Sequence, residues 1–565
     1  MANLLDEASI LLTPTAYNNG SMLAVKPENG DGDFTFSRNS AATRVNAQGL
    51  VENVQILSSN LVSNGDFANG TTGWITTNGS ITVTNGEATI LGNSANGGVY
   101  QSIAQAGVTY FIEIEVLSIN SGNWYAGGYI TNTYSIDNTG KISFYYTSTG
   151  TGFHILSSGG AGSITIDNVS VKEITDDTNL PRINYEGFSY DANGDIIPNS
   201  GCGSWLMEGQ STNLIPYSED FSNWSKENVT NASNVTTSPD GTQNADTIID
   251  GGTNTRHINY ESFSGNLATE RTLSVYAKQN NLRYLFLSVT NSGDSNCYSA
   301  IFDLQSGIIS ATKINGTATN SASMISMGDG WYRCIISGTV TTATATASYF
   351  SMIGTSDRSG FTGSLQNNNA PIYTGSGQSI YIYGAMLEQQ SYPTSYIPTS
   401  GAISTRLADI ANNSGNASLI NSEEGTLYFE GSWIQKSGGT NRRIALSDGT
   451  GTNIILIQNV NGTENSLQFY VINSSGISTD FSTILSDITD NNKIAFLYKE
   501  NDFSVFINGI KVLTDTVGTT FSVGTLNTLA FDGGDGGSDF YGKTKALAVY
   551  KTALTDEQLT ALTTI

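Results

Sequence analysis

Asn213-Leu-Ile-Pro-Tyr-Ser-Glu-Asp-Phe-Ser-Asn-Trp224 has a degraded copy earlier in the chain, Asn60-Leu-Val-Ser-Asn-Gly-Asp-Phe67 with Gly73-Trp74 behind it. In both, an Asn-Leu pair is followed by an acidic residue and a Phe, then a Trp, then many short alternating segments. The copies also close alike, on Ile164-Thr-Ile-Asp-Asn-Val-Ser-Val171 and Ile380-Tyr-Ile-Tyr-Gly-Ala-Met-Leu387, each patterned as a last strand. The pairing predicts two sister β-domains, at 59–174 and 213–399.

Working outward, 565 residues require three or four hydrophobic cores. With 61 Gly, only 9 Pro and 10% aromatics, the composition describes short strands joined by tight turns. A net charge of −25 with only 13% charged residues gives a polar, weakly charged, acidic surface. Such a surface is a poor match for phosphates, so nucleic acid is not expected as a partner. Cys202, Cys297 and Cys334 lack metal-ligand spacing and are expected to stay thiols. Met1-Ala-Asn-Leu-Leu-Asp-Glu-Ala-Ser9 shows neither a basic n-region nor a long apolar stretch, so neither a secretory signal nor membrane insertion is predicted.

Residues 1–58 read as an irregular N-terminal arm followed by a hairpin, Thr43–Val45 against Leu50–Val54, with the turn at Asn46–Gly49. The arm's apolar residues, Leu4, Leu5, Ile10, Leu11, Leu12 and Tyr17, would lie open to water, so it is expected to order against a partner. Residues 175–212 read as a linker and hairpin, and 400–565 as a third β-sandwich. In the third, Asn508-Gly509 marks a tight hairpin turn, and Thr555-Asp-Glu-Gln558 is a capping box that opens the clearest helix.

Three segments carry a resemblance: Gly32-Asp-Phe-Thr-Phe-Ser-Arg38 through Thr43-Arg-Val-Asn-Ala-Gln-Gly-Leu-Val-Glu52; Leu180-Pro-Arg-Ile-Asn-Tyr185; and Gly201-Cys-Gly-Ser-Trp-Leu-Met-Glu-Gly-Gln-Ser-Thr-Asn-Leu214. Together they resemble structural proteins of tailed bacteriophages, of the fibre and head-decoration type, especially in phages of Bacteroidota. The first sister domain is inserted between the first two segments. Its frame, Asn-Gly-Asp-Phe…Gly-Trp…Ile-Asp-Asn-Val, resembles carbohydrate-binding-module jelly rolls, and 400–565 resembles laminin-G or concanavalin-like sandwiches. The resemblance implies an all-β protein with an N-terminal arm, two jelly-roll-like sandwiches and a C-terminal concanavalin-like sandwich. It further implies a virion protein made in the host cytoplasm and exposed on lysis. Its arm would be held by capsid or tail proteins, or by sister chains of a homo-oligomer such as a trimer, and its outer domains would meet a host-surface glycan.

No catalytic constellation stands out. His154 and His257 fall in different domains without triad partners and read as structural. The acidic pairs Glu219-Asp220 and Glu423-Glu424 leave a glycan depolymerase as the rival reading, with a purely structural scaffold as the third. For sugar binding, Trp124, Tyr125 and Tyr129 stand among glycines in Gly122-Asn-Trp-Tyr-Ala-Gly-Gly-Tyr129, a loop-like context in which large rings suit stacking on a pyranose. Packing against a neighbouring domain is the alternative. Trp74, Trp224 and Trp331 read as core. No cofactor is expected. A structural Ca2+ is weighed at Asp532, Asp535 and Asp539, and at Asn29-Gly-Asp-Gly-Asp33, against plain glycine-rich turns; the second run lacks the Glu at position twelve of a calcium loop.

Overall fold

The computed structural model describes residues 4–130, 133–186, 188–190, 196–198, 201–263, 269–291, 296–315, 318–340, 348–355 and 372–565. The chain is all-β, with one α-helix among the described residues, Asp556–Thr563. That helix has the expected capping box: Thr555 Oγ1 accepts from Gln558 N, and Gln558 Oε1 accepts from Thr555 N. No described helix is long and apolar enough to cross a membrane.

The two sister sandwiches share one hydrogen-bonded clasp. In the first, Asn60 Oδ1 accepts from Val62 N (3.0 Å) and Val171 N (2.9 Å), and its Nδ2 donates to Val169 O (3.3 Å). In the second, Asn213 Oδ1 accepts from Ile215 N (3.1 Å) and Leu387 N (3.2 Å), and its Nδ2 donates to Ala385 O (3.1 Å) and Ile397 O (2.9 Å). Each Asn thus ties the start of its sandwich to the last strand. The Trp indoles also correspond: Trp74 donates to Asn64 O and Trp224 to Tyr217 O, in both cases the residue four after the clasp Asn. Phe67 and Phe221 pack on those indoles at 5.4 and 5.0 Å. Trp74, Trp224 and Trp331 are buried.

The first sandwich is built around two long strands, Thr109–Gly127 and Phe153–Asp176, whose pairing shifts register four times, so that each bends through both layers. The second comprises two six-stranded sheets. One runs Ser225–Glu227, Ile258–Phe263, Ser348–Thr355, Tyr284–Asn291, Cys297–Asp303, Ile308–Asn315. The other runs Val229–Thr236, Ala245–Asp250, Ser379–Glu388, Arg271–Gln279, Trp331–Gly338, Ser321–Gly328. Cys202, Cys297 and Cys334 form no disulfide.

The third sandwich corrects two readings of the sequence. Residues 1–58 are not a free arm: Ile10–Leu12 pairs with Gly542–Tyr550, setting Ile10 opposite Val549 and Leu12 opposite Leu547. Ile10 and Leu12 lie in the main core of this sandwich, Leu4 and Leu5 pack with Leu559 and Leu562 of the helix, and Tyr17 meets Trp205 edge-on at 6.3 Å. The chain covers these side chains itself, so the argument that a partner must cover them fails. Residues 175–212 are likewise more than a linker, because Arg182–Asn184 pairs with Ser204–Met207, which pairs with Gly542–Tyr550 in the same sheet. The concanavalin-like unit is therefore discontinuous, and both sister sandwiches are insertions into it. Local patterning missed this because Ile10–Leu12 and Ser204–Met207 are three and four residues long and pair with a strand hundreds of residues away. The expected hairpin does form, Thr43–Val45 against Val51–Asn53, and so does the turn at Asn508-Gly509, both residues with positive φ.

Where the chain crosses between sandwiches, Arg38, Arg182 and Arg406 meet Glu208 and Asp409, all buried. Arg38 Nη1 bonds Asp409 Oδ1 (3.2 Å) and Leu180 O (3.0 Å). Arg182 bonds Glu208 Oε2 (2.7 Å), Ser395 Oγ (2.6 Å) and Asp409, and Arg406 reaches Glu208 Oε2 at 3.4 Å. Burial opposes the Glu208 charge, but Arg406 and Arg182 outweigh it and hold the carboxyl down at about 2.

Replacing Asn213 by Leu should strand two N–H and two C=O groups in the core. At about 1–3 kcal/mol for each group left unsatisfied, it should cost the second sandwich several kcal/mol. Asn60 is exposed, so Asn60→Leu, which unpairs two N–H groups and one C=O that water can reach, should cost the first sandwich less, about 1–2 kcal/mol. Urea unfolding followed by fluorescence of the tryptophans in each sandwich would measure both, and a loss below about 1 kcal/mol would contradict the clasp's importance.

Candidate glycan-binding site

Of the three aromatic residues singled out from the sequence, the structure exposes one. Trp124 is fully buried and Tyr125 is 8% exposed, whereas Tyr129 is 46% exposed. The glycines around Trp124 do not make a loop; they allow a strand to bulge. Gly122 has φ +76, and a Cβ there would lie 2.8 Å from Gly162 Cα on the paired strand. Trp124 thereby faces the core, with its indole donating to Ser121 O at 3.1 Å. The Tyr125 hydroxyl lies 2.7 Å from Asn96 Oδ1 and 2.8 Å from Tyr129 O, which anchors the turn carrying Tyr129.

Tyr129 borders a cleft of about 410 Å³ lined by Thr77, Tyr100, Ser102, Tyr129, Thr151, Gly152 and His154. Antiparallel register assembles it. Tyr100 stands opposite His154 on one side and Ile75 on the other, and Gly127 is opposite His154 on the far strand. Phe153 and Ile155 are buried, so the two-residue period of the strand turns His154 outward. Its ring stacks on Tyr100 at 5.0 Å and meets Tyr129 edge-on at 5.4 Å. Burial lowers the His154 pKa, favouring the neutral ring, and its buried Nδ1 has no hydrogen-bond partner among the described residues. Gly152 leaves room for the imidazole, since a Cβ there would lie 2.3 Å from Nε2.

Sequence reasoning placed Tyr129 at a site but missed Tyr100 and His154. Their pairing is a matter of strand register, which no local pattern reveals. The one available signal was the position of His154 between two apolar residues, which marks an outward-facing residue of a strand.

The acidic pairs are held in the framework. Asp220 Oδ1 accepts from Ser222 N and caps a short 3-10 turn, and Glu424 pairs with Lys499 at 2.8 Å. Glu219 belongs to a buried cluster: Tyr383 Oη lies 3.1 Å from both Glu219 Oε1 and Asp240 Oδ2, and Tyr396 Oη lies 2.9 Å from the same Glu219 oxygen. One tyrosine proton cannot serve two carboxylates at once. Burial first, and then the Asp240 charge, push Glu219 up to about 7, and burial pushes Asp246 up to about 7 as well. The weighed calcium positions are occupied by turn bonds: Asp532 Oδ1 accepts from Gly534 N (2.6 Å), Asp535 Oδ1 from Gly537 N (3.1 Å), and Asp539 Oδ2 lies 3.4 Å from Tyr541 Oη. In the other run, Asn29 bonds Asp31 and Asp33 accepts from Ala24 N. Among the described residues no group of three or more His, Cys, Asp or Glu is placed to hold a metal ion.

Residues 416–560 match a laminin G family model described as the concanavalin A-like lectin/glucanases superfamily. Three solved structures show the range of similarity. The CBM40 of Ruminococcus gnavus IT-sialidase bound to α2,3-sialyllactose is 17% identical over 25% of this chain and 83% of its own, with a TM-score of 0.22. The leech intramolecular trans-sialidase complexed with 2,7-anhydro-Neu5Ac is 18% identical over 26% of this chain and 24% of its own, also at 0.22. The native heptameric SAP-like pentraxin of Limulus polyphemus is 14% identical over 25% of this chain and 70% of its own, at 0.21. No curated protein matches the chain.

Two predictions follow from these surroundings. Tyr129→Ala should leave thermal stability within a degree or two, whereas Trp124→Ala should cost about 3–5 kcal/mol, as aromatic deletions from cores do; calorimetry on the two variants separates surface from core. The raised carboxyls of Glu219 and Asp246 make the folded chain hold protons that the unfolded chain has released. Their contribution to stability is therefore full below the unfolded values near 4 and lost as pH rises through about 7. Glu208, held at about 2, acts in the opposite direction, its contribution being lost as pH falls from about 4 toward 2. Melting temperature should accordingly fall between about pH 4 and 7 and level off above, and Glu219→Gln should flatten that fall; an unchanged slope would rule out a proton held on Glu219.

Proposed function

We propose that this chain is a non-enzymatic component of a tailed-phage virion, a fibre or a head or tail decoration protein, which displays β-sandwiches to bind a glycan on the host surface. The observation that carries the glycan reading is the cleft on the first sandwich, where the rings of Tyr100, Tyr129 and His154 stand among the hydroxyls of Thr77, Ser102 and Thr151. Its volume lies within the roughly 300–1,000 Å³ of small-molecule sites, and aromatic rings beside hydroxyls suit a sugar's apolar face and polar rim. The lectin-type family match of the C-terminal sandwich supports the same reading. The virion role rests on the phage-like segments around Arg38, Arg182 and Glu208.

An open, shallow cleft buries little ligand, so single-site affinity should be modest, on the order of millimolar to micromolar. Multiple copies on a particle would raise the apparent affinity by about 10²–10⁴. The depolymerase reading needs two carboxylates facing a substrate, and the lining of this cleft contains none.

Purified protein should compete with phage for adsorption to host cells while releasing no reducing ends from host capsule. Sustained release of oligosaccharide would establish a depolymerase instead. Particles that fail to assemble when the gene is deleted would point to a scaffold, whereas intact particles that cannot adsorb would support recognition.

A further inference from the structure

We propose that the cleft selects uncharged, pyranose-bearing glycans and rejects those carrying sialic or uronic carboxylates. This deepens the glycan-binding reading and rests on it.

The argument is the chemistry of the lining. Five of its seven residues, Thr77, Tyr100, Ser102, Tyr129 and Thr151, carry hydroxyls, and none carries a formal charge at neutral pH. A hydroxyl both donates and accepts, which matches sugar hydroxyls that do the same. A carboxylate only accepts, and it is recognised strongly where a guanidinium or ammonium donates to it with opposite charge. No Arg or Lys is among the described residues that line this cleft. The arginines that are buried at the crossovers, Arg38, Arg182 and Arg406, are already engaged by Glu208 and Asp409.

His154 does not supply the missing cation. Its ring is packed between Tyr100 and Tyr129, with Nδ1 buried and unpaired, and burial favours the neutral form. A carboxylate seated here would trade part of its water for neutral hydroxyls, with no cation beside it to offset the loss. The net charge of −25 adds long-range repulsion that salt would screen. A neutral glycan has neither penalty, and its apolar ring face can rest against the exposed ring of Tyr129.

The test uses the full chain on a biosensor carrying immobilised dextran, mannan and xylan as neutral probes, with polysialic acid and polygalacturonate as acidic ones. The expected result is binding to at least one neutral polymer at least tenfold tighter than to either acidic one, reduced at least tenfold by Tyr129→Ala at unchanged melting temperature. Thr151→Ala, at another residue of the lining, should weaken the same binding and guards against a folding defect in the first variant. Equal or tighter binding of an acidic polymer, still lost in Tyr129→Ala, would overturn the selectivity while leaving the glycan site standing. Binding to neither class, or binding indifferent to both variants, would remove the site and the selectivity together.

Discussion

Three arginines and two carboxylates buried at one point, Arg38, Arg182 and Arg406 with Glu208 and Asp409, decide how this chain is joined. Taking such charges out of water costs several kcal/mol each, so the arrangement holds only if every partner is present. The five residues come from four separate passes of the chain between sandwiches. Arg38 precedes the first insertion, Arg182 follows it, Glu208 precedes the second, and Arg406 and Asp409 follow it. Backbone bonds run through the same knot: Glu208 N donates to an Asp409 carboxylate oxygen, and Asp409 N donates to Glu208 O. Each insertion is therefore pinned at both of its ends by the same set of ions.

The knot also explains what the phage-like segments encode. Arg38, Arg182 and Glu208 lie within the strings that carry the resemblance, and each is paired inside the knot, Arg38 with Asp409 and Arg182 with both Glu208 and Asp409. Those strings build the joint at which both inserted sandwiches are mounted. The first sandwich is mounted economically: Ile56–Leu57 pairs with the end of Phe153–Asp176, so the chain enters and leaves side by side.

What could be read from the sequence was what neighbouring residues decide. The repeat of Asn60 and Asn213 marks a clasp that each sandwich needs at the same place. The Asn508-Gly509 turn and the Thr555–Gln558 capping box depend on residues within a few positions of one another. Long-range pairing was not legible. Ile10-Leu-Leu12 is too short to show a period, and its partner strand begins at Gly542. Trp124 was misread because glycine marks both loops and bulges, and only the paired strand, with Gly162 close by, distinguishes them. Tyr100 and His154 acquire meaning only as cross-strand neighbours.

That separation between local and distant pairing bears on folding. Each sister sandwich lies within one continuous stretch of chain and closes on its own last strand, through Asn60 to Val171 and Asn213 to Leu387. Each can complete its clasp as soon as that strand has been made. The third sandwich cannot, because Gly542–Tyr550 must be present before Ile10–Leu12 and the pair Arg182–Asn184 with Ser204–Met207 can join one sheet. Closing so long a loop through a disordered chain would carry a large entropic cost, which grows with the logarithm of its length. Two folded insertions shorten the effective loop, since the ends of each are already held close together. Folding of the inserted sandwiches thus offsets much of the loop entropy that their own insertion adds, and the base, through its buried ions, fixes where the insertions are held.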